Sequence, residues 1–437
     1  MYAASLESVS GQIAVHYEQA GCPRQAIPFH QRAGEAAVLR YAHADALASF
    51  QRALTLLEAT SPRPPESEQL REMLAALPES LGDVLHVMGQ QEEARQTYQK
   101  AVESCAPHDR IRQARLYRKI AETMEEPSRH DDMLRTYRMA ELALGQVASE
   151  HGPEWWQEWV QIQLDQLVPL FYQGRVPETM DIIEWVQPFV EQYATAAQRA
   201  HFFTDVALSN LRRDRFLVAE ETLSACQAAL AASEESGRAG EVGSARFWLG
   251  FAHALRGDLE AAQEQLQAAL HLGEQIGDAT QQVRCLAFLA ITARRGGQVE
   301  TVQRLSERGL ALASTIQFPG ILPHFPASLS WVAWRRGDLA RALKQAQIAL
   351  ELGQPQHLFP FQWTALLPLV GVALAEARDA DAVASVRLLL SPTQQRLPHA
   401  LDTALEAVVQ AWDAGQSEKV HSQLQQAVAL SMELGYL

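Results

Sequence analysis

The chain has 437 residues, 37 Lys and Arg against 52 Asp and Glu for a net charge of −15, and 47% hydrophobic residues. That length exceeds one ordinary compact core and calls for several domains or an elongated array. The acidic balance argues against direct nucleic-acid binding, whose usual footprint is a basic excess or stripe. Cys22, Cys105, Cys226 and Cys285 show no CxxC spacing, so neither a disulfide framework nor a zinc motif is read, and a reducing, cytoplasmic setting is expected.

Residues 1–60 carry Tyr17, Gly21, Ala26 and Ala33, and Ala26 and Ala46 stand only 20 residues apart. That spacing predicts three packed helices. The opening MYAASLESVSGQ has neither the basic start nor the apolar run of a secretion signal. Residues 61–68, SPRPPESE, hold three prolines among polar neighbours and predict a linker, because proline removes a helical donor and clashes with the preceding turn.

Residues 69–148 are expected to form helix pairs. One stretch, 81–102, reads LGDVLHVMGQQEEARQTYQKAV. A second unit runs from YRKIAETMEE through Met133, Tyr137 and Ala140. His130, Asp131 and Asp132 open its second helix; they read either as metal ligands or as a polar helix start with Asp at the N-cap. A boundary is expected near 148–155, and 149–437 reads as a long array. There Trp155 and Trp159 share a helix face, with Trp156 pointing elsewhere and Trp185 nearby, as a packing cluster or a protein contact. Stretches 317–326 and 354–361 read as Pro- and aromatic-rich loops. The most apolar run, Ala365 to Ala375, contains Pro368 and is too short for a bilayer, so no membrane span is read.

The array repeats. Residues 249–270, LGFAHALRGDLEAAQEQLQAAL, align with 81–102: Leu81-Gly82 on Leu249-Gly250, Gly89 on Gly257, Ala94 on Ala262, Tyr98 on Leu266 and Ala101 on Ala269. Small residues let antiparallel helices approach, large ones fill between layers, and Gly-Asp pairs such as Gly257-Asp258 and Gly337-Asp338 stop one helix and cap the next. The Ala94 position recurs at Met133, Thr179, Ala219, Ala262, Val302, Ala342, Val383 and Val420. Turns are read at Gly174, Asp214, Gly296 or Gly297, Gly337, Arg378 and Gly415.

This pattern resembles the tetratricopeptide repeat (TPR), and its spacing, longer than the common period of about 34 residues, resembles the long-helix type found in sensor arms of bacterial regulators. The resemblance implies an all-α fold, a right-handed superhelical solenoid of antiparallel helix pairs. A single pair cannot bury its apolar stripe, so pairs stack. A second resemblance rests on HYEQAG, AI…RAGE.A and YA..AL..F.RAL.LL within the first sixty residues. It is to the segment that follows the ATPase module in large bacterial signal-transduction ATPases, some cyclase-fused and some carrying helix-turn-helix outputs. It implies an ATPase module N-terminal to this chain, which itself contains no GxxxxGK[ST].

No HExxH, GxSxG or dinucleotide fingerprint is present, so no enzyme, cofactor or metal is expected. His16, His30 and His43 share no ligand spacing and read as surface or interface histidines. Cys226 and Cys285 fall where small apolar residues pack. The TPR resemblance puts the first helix of each pair on the concave wall, which gives a candidate groove of Phe171, Tyr172, His201, Arg212, Phe247, Phe251, Arg294, Arg295, Trp331, Trp334 and Arg335. Rings and guanidinium groups suit a peptide, a sugar or an anionic ligand. Against this, the arginines sit where cations favour helix C-termini, and Trp331 and Trp334 fit a core equally well. The expected function is a non-catalytic binding or sensor arm of a bacterial signalling ATPase or transcription regulator, recognising a protein, peptide or small effector. The alternative is a free-standing scaffold for protein assembly.

Overall fold

The computed structural model describes residues 2–60, 68–124, 129–148, 150–314, 320–353 and 359–437. The linker read at 61–68 lies outside the described residues except for Glu68, which opens a helix; the loops read at 317–326 and 354–361 are described only from 320 and 359 onward. Among the described residues the regular elements are all helices, and the chain divides into two compact units. Unit 1 is Met1–Gln173 with Val186–Ala194; unit 2 is Gly174–Trp185 with Thr195–Leu437.

Unit 1 begins with the three helices expected, α1 (Tyr2–Gln19), α2 (Pro23–Leu39) and α3 (His43–Thr60). Glu18 ties them together. Its carboxylate meets buried His30 of α2 at 2.7 Å and accepts from Arg52 Nε of α3 at 2.9 Å. The Arg52 hydrogen bond holds the Glu18 carboxyl down at about 2. The helices α4 (Glu68–Val87), α5 (Gln91–Ser104), α6 (Arg110–Glu122) and α7 (His130–Leu144) follow as two hairpins, then α8 (Pro153–Asp165) and the short α9 (Leu167–Gln173). The helix α10 (Val176–Tyr193) gives its first part to unit 2 and its last to unit 1.

The aligned glycines do what the repeat requires. A Cβ on Gly82 would stand 2.5 Å from the Tyr98 ring, and one on Gly250 would stand 2.8 Å from Leu266. Tyr98 cannot yield: it is buried and its hydroxyl donates to Asp83 at 2.8 Å. Gly82→Val is therefore expected to destabilise unit 1 by about 1–3 kcal/mol through overpacking. A lower urea midpoint checks this, and an unchanged one would mean that α4 and α5 do not touch at Gly82.

Unit 2 continues as helix pairs: α11 (Ala196–Arg213) with α12 (Glu220–Ser236), α13 (Ala239–Arg256) with α14 (Leu259–Ile276), and α15 (Ala279–Arg295) with α16 (Val299–Ala313). Then come α17 (His324–Arg335) with α18 (Leu339–Leu352), α19 (Trp363–Ala375) with α20 (Asp379–Leu389), and α21 (His399–Asp413) with α22 (Ser417–Glu433). Caps punctuate them. Gly257, Gly277 and Gly337 take left-handed φ of 104°, 72° and 78°, where a side chain would be strained. Asp278 and Asp338 accept from backbone N–H groups three residues on, at 2.8 and 3.0 Å.

The structure settles the turn left open at Gly296 or Gly297 and corrects the register at three further places. Gly297, not Gly296, is the left-handed residue (φ 71°), and Ala377 takes that conformation one residue before Arg378. Ala219 is the exposed N-cap of α12, and Leu223 fills the buried repeat position. Ala382, fully buried, holds the position read at Val383, so the small residue is kept there. The slip at Ala219 comes from an inserted turn: Arg215 and Phe216 both adopt positive φ, 51° and 61°, between α11 and α12. Pro326, read as loop, lies inside α17.

Candidate functional site

In unit 2 the first helices of successive pairs pack side by side, α11 on α13, α13 on α15, α15 on α17 and α17 on α19, while the second helices α12, α14, α16 and α18 fan out behind them. The first helices therefore form the inner wall. The last hairpin breaks the rule, because α22 rather than α21 packs on α19.

A wall helix facing solvent should keep a polar stripe. In α15, α17 and α19 of unit 2 that stripe is lost. In α15 every residue from Cys285 to Arg294 is buried, and in α17 every residue from His324 to Ala333. The cover is the chain itself. Phe359 and Phe361 enter an aromatic cluster in which Phe361 stands 5.0–5.8 Å, ring to ring, from Phe216, Phe251, Phe288 and His324. Burial pushes the His324 imidazole down to about 3, so it sits there neutral. The segment 391–397 lies beside them, with Arg396 N donating to Arg215 O at 2.9 Å and Gln395 N to Pro360 O at 2.8 Å. Finally Tyr436 and Leu437, both buried, lie against the ends of α15 and α19.

Side-chain donors grip these segments by their backbone carbonyls. Arg215 donates to Ser391 O at 3.0 Å and to Gln394 O at 3.1 Å. Arg294 donates to Thr364 O at 2.6 Å and to Tyr436 O at 2.7 Å. The positive φ of Arg215 and Phe216, a strain of order 1–3 kcal/mol each, is offset by those hydrogen bonds and by the burial of Phe216 against Phe361.

The eleven groove candidates separate. Phe171 and Tyr172 belong to unit 1, where Tyr172, 53% exposed, stacks on His130 at 5.7 Å. The other nine belong to unit 2. Phe247, Phe251, Arg294 and Trp331 are buried and line no open groove, because the chain's own segments cover them. Trp334 is half-buried, with its indole packed where a Gly371 Cβ would stand, 2.5 Å away. Arg295 donates to Ala254 O at 2.7 Å and lies 4.9 Å from the Tyr436 ring. Arg335 is exposed and sits 5.3 Å over Trp331. His201 stands 3.5 Å from Asp205, and burial lowers the Arg212 guanidinium.

Two wall residues escaped the sequence reading. Trp248 and Arg284 are half-buried, the guanidinium lying 4.7 Å from the Phe247 ring and 5.7 Å from Trp248. Their signal was the register: Arg284 precedes Phe288 by one turn. Beside the inserted turn, an open cleft of about 560 Å3 is lined by Arg213, Arg215, Leu217 and Arg396. Arg213 is already paired with Asp214 and Glu221.

Elsewhere the tryptophan cluster is internal to unit 1. Trp155, Trp156 and Trp159 are all buried, and Trp156 does not point elsewhere: it stacks on Phe189 and Tyr193 of α10 at 5.1 and 4.8 Å. Trp185 is 51% exposed. His130 is buried, Asp131 and Asp132 fill the first turn of α7, and the N-cap is Arg129 rather than Asp. Among the described residues no cluster of three or more His, Cys, Asp or Glu side chains could hold a metal ion, and no helix is long and apolar enough to cross a membrane. Cys226 and Cys285 are buried, which pushes both thiols up to about 12.

No protein-family model and no curated protein sequence matches the chain. Solved structures do. A Rap protein complexed with competence and sporulation factor is 11% identical with a TM-score of 0.54, the match covering 74% of this chain and 91% of that one. NprR in complex with its cognate peptide NprX is 12% identical with a TM-score of 0.50, over 73% and 84%. This chain has the fold of the tetratricopeptide-type helical repeat proteins. A STAND protein with a tetratricopeptide repeat sensor, from Pyrococcus horikoshii, is less similar, at 11% identity and TM-score 0.48 over 78% of this chain and 53% of that one. The likeness is one of fold, and the stacked helix pairs account for the wall of first helices in unit 2.

Proposed function

We propose that this chain is a non-catalytic binding arm that recognises a polypeptide on the inner wall of unit 2. One observation carries the reading: the wall already holds irregular polypeptide, and it does so through donors to backbone carbonyls at Ser391, Gln394 and Tyr436. Carbonyl recognition is indifferent to side chains, while aromatic slots such as that filled by Phe361 select for rings. Of two proteins that share the fold, Rap is complexed with competence and sporulation factor and NprR with its cognate peptide NprX. Trp248, Arg284 and Arg335 are among the wall residues accessible to a ligand.

The finer assignment, a sensor arm driven by ligand binding and joined to a signalling ATPase or transcription regulator in the cytoplasm, is supported by the resemblance within residues 1–60. Native mass spectrometry of the protein taken gently from its source tests both parts. A retained polypeptide supports the binding arm, and a co-purifying ATPase supports the sensor assignment. A retained molecule of a few hundred daltons with no polypeptide would contradict the polypeptide reading and favour a small effector. A stable assembly of several protein partners would favour the free-standing scaffold.

A further inference from the structure

The side chain that holds Tyr436 is unusual. Arg294 is 1% exposed, and among the described residues no carboxylate pairs with it. Its guanidinium lies 5.7 Å from the Trp331 ring and 5.1 Å from the Trp363 ring, donates to two neutral carbonyls, and keeps Nε without a partner. Burial lowers it to about 9, which still leaves it charged at neutral pH. A buried cation with only neutral acceptors is a costly arrangement, and one of its two acceptors belongs to a segment of three residues.

That segment is specifically shaped. Gly435 turns with φ 73°, and a Cβ there would stand 2.6 Å from Arg295 O, so glycine alone allows the approach. Tyr436 N and Leu437 N both donate to Ser431 O, at 2.8 and 3.0 Å. The Tyr436 ring then enters between Trp363, 4.7 Å away, and Arg295, 4.9 Å away. From the wall itself the segment receives one hydrogen bond, that of Arg294. The rest of its hold is ring contact, the burial of Leu437 in the apolar core and tethering to α22.

We propose that Gly435–Leu437 is a self-ligand, an intramolecular occupant of the inner wall of unit 2 that an incoming polypeptide bearing an aromatic residue displaces. The proposal rests on the reading of that wall as a polypeptide site. Tethering gives the segment a high effective concentration, so it suppresses weak ligands and yields only to one that fills the Trp363 slot and offers Arg294 a carbonyl of its own. Departure of the segment also removes the contacts that tie the end of α22 to the last turn of α15 and the start of α19, which links occupancy of the wall to the last hairpin.

The test uses the chain's own sequence as the probe. A synthetic peptide of residues 432–437, MELGYL, is titrated by fluorescence anisotropy into the intact chain, into the chain lacking 435–437, and into Tyr436→Ala. Amide hydrogen exchange is followed in α15 and α19. The deleted chain is expected to bind the peptide saturably, at least tenfold more tightly than the intact chain. Its exchange in the last turn of α15 should rise at least tenfold and fall again when peptide is added. Tyr436→Ala should show the same pattern, and it carries the test if the deleted chain does not fold. A folded variant that refuses the peptide and exchanges like the intact chain overturns the proposal, while leaving the binding-arm reading standing. If both variants unfold, the segment is fixed core and the proposal also fails.

Discussion

Replacing Trp331 by alanine is expected to lower the stability of unit 2 by about 3–5 kcal/mol. The ring is wholly buried, and guanidinium groups lie over it from Arg294 and Arg335, 5.7 and 5.3 Å from its centroid. No rearrangement of the closely packed α15, α17 and α19 could refill the space. Trp334→Ala should cost less, roughly 1–2 kcal/mol, because that indole is half-buried on Gly371. Urea unfolding followed by circular dichroism separates the two. Equal losses would contradict the placement of Trp331 in the core and Trp334 at its edge.

The second large effect belongs to unit 1 and depends on pH. Arg118 stands among three carboxylates: it is paired with Glu122 and lies 3.0 Å from both Glu158 and Asp165. Arg118→Met leaves these acids crowded without their cation, and a loss of about 3–5 kcal/mol is expected at neutral pH. Glu122 behaves in the opposite sense. Burial, with the neighbouring Asp165 charge adding to it, pushes its carboxyl up to about 7 despite the attraction of Arg118. The folded chain thus binds a proton that the unfolded chain has released, and stability from this group falls as pH rises from about 4.5 to 7. Glu122→Gln should therefore be neutral near pH 4 and stabilising above pH 7, by upwards of about 1 kcal/mol. Denaturation midpoints at pH 4.5 and pH 8 check the sign; a variant destabilised at pH 8 would show that the carboxylate is needed ionised.

Much of the fold could be read before the structure, because its signals are local. Gly82 against Tyr98, Gly250 against Leu266 and the left-handed Gly257 and Gly337 each answer a constraint within one helix pair. The register slip at Ala219 was hidden because Arg215 and Phe216 adopt left-handed conformations without glycine, and such strain is fixed by distant partners, here Ser391, Gln394 and Phe361. The candidate groove was drawn from helix position alone. It placed Arg294 and Arg295 correctly on a first helix, but helix position says nothing about what covers the wall. Residues 359–361, 391–397 and 435–437 return to it from far along the chain. One sequence signal did point to this cover. The run WTALLPLVGVALA of α19 has no charged residue at all, and an inner-wall helix without a polar stripe has no face left for water.

The most direct test of the account is photo-crosslinking in the source cell. A benzophenone amino acid is placed at Trp248 on the inner wall and, separately, at exposed Arg304 on α16 behind it. The account predicts a polypeptide adduct at position 248 and none at 304. A polypeptide captured at 304 and never at 248 would contradict it, and would move the binding surface from the inner wall of unit 2 to its outer one.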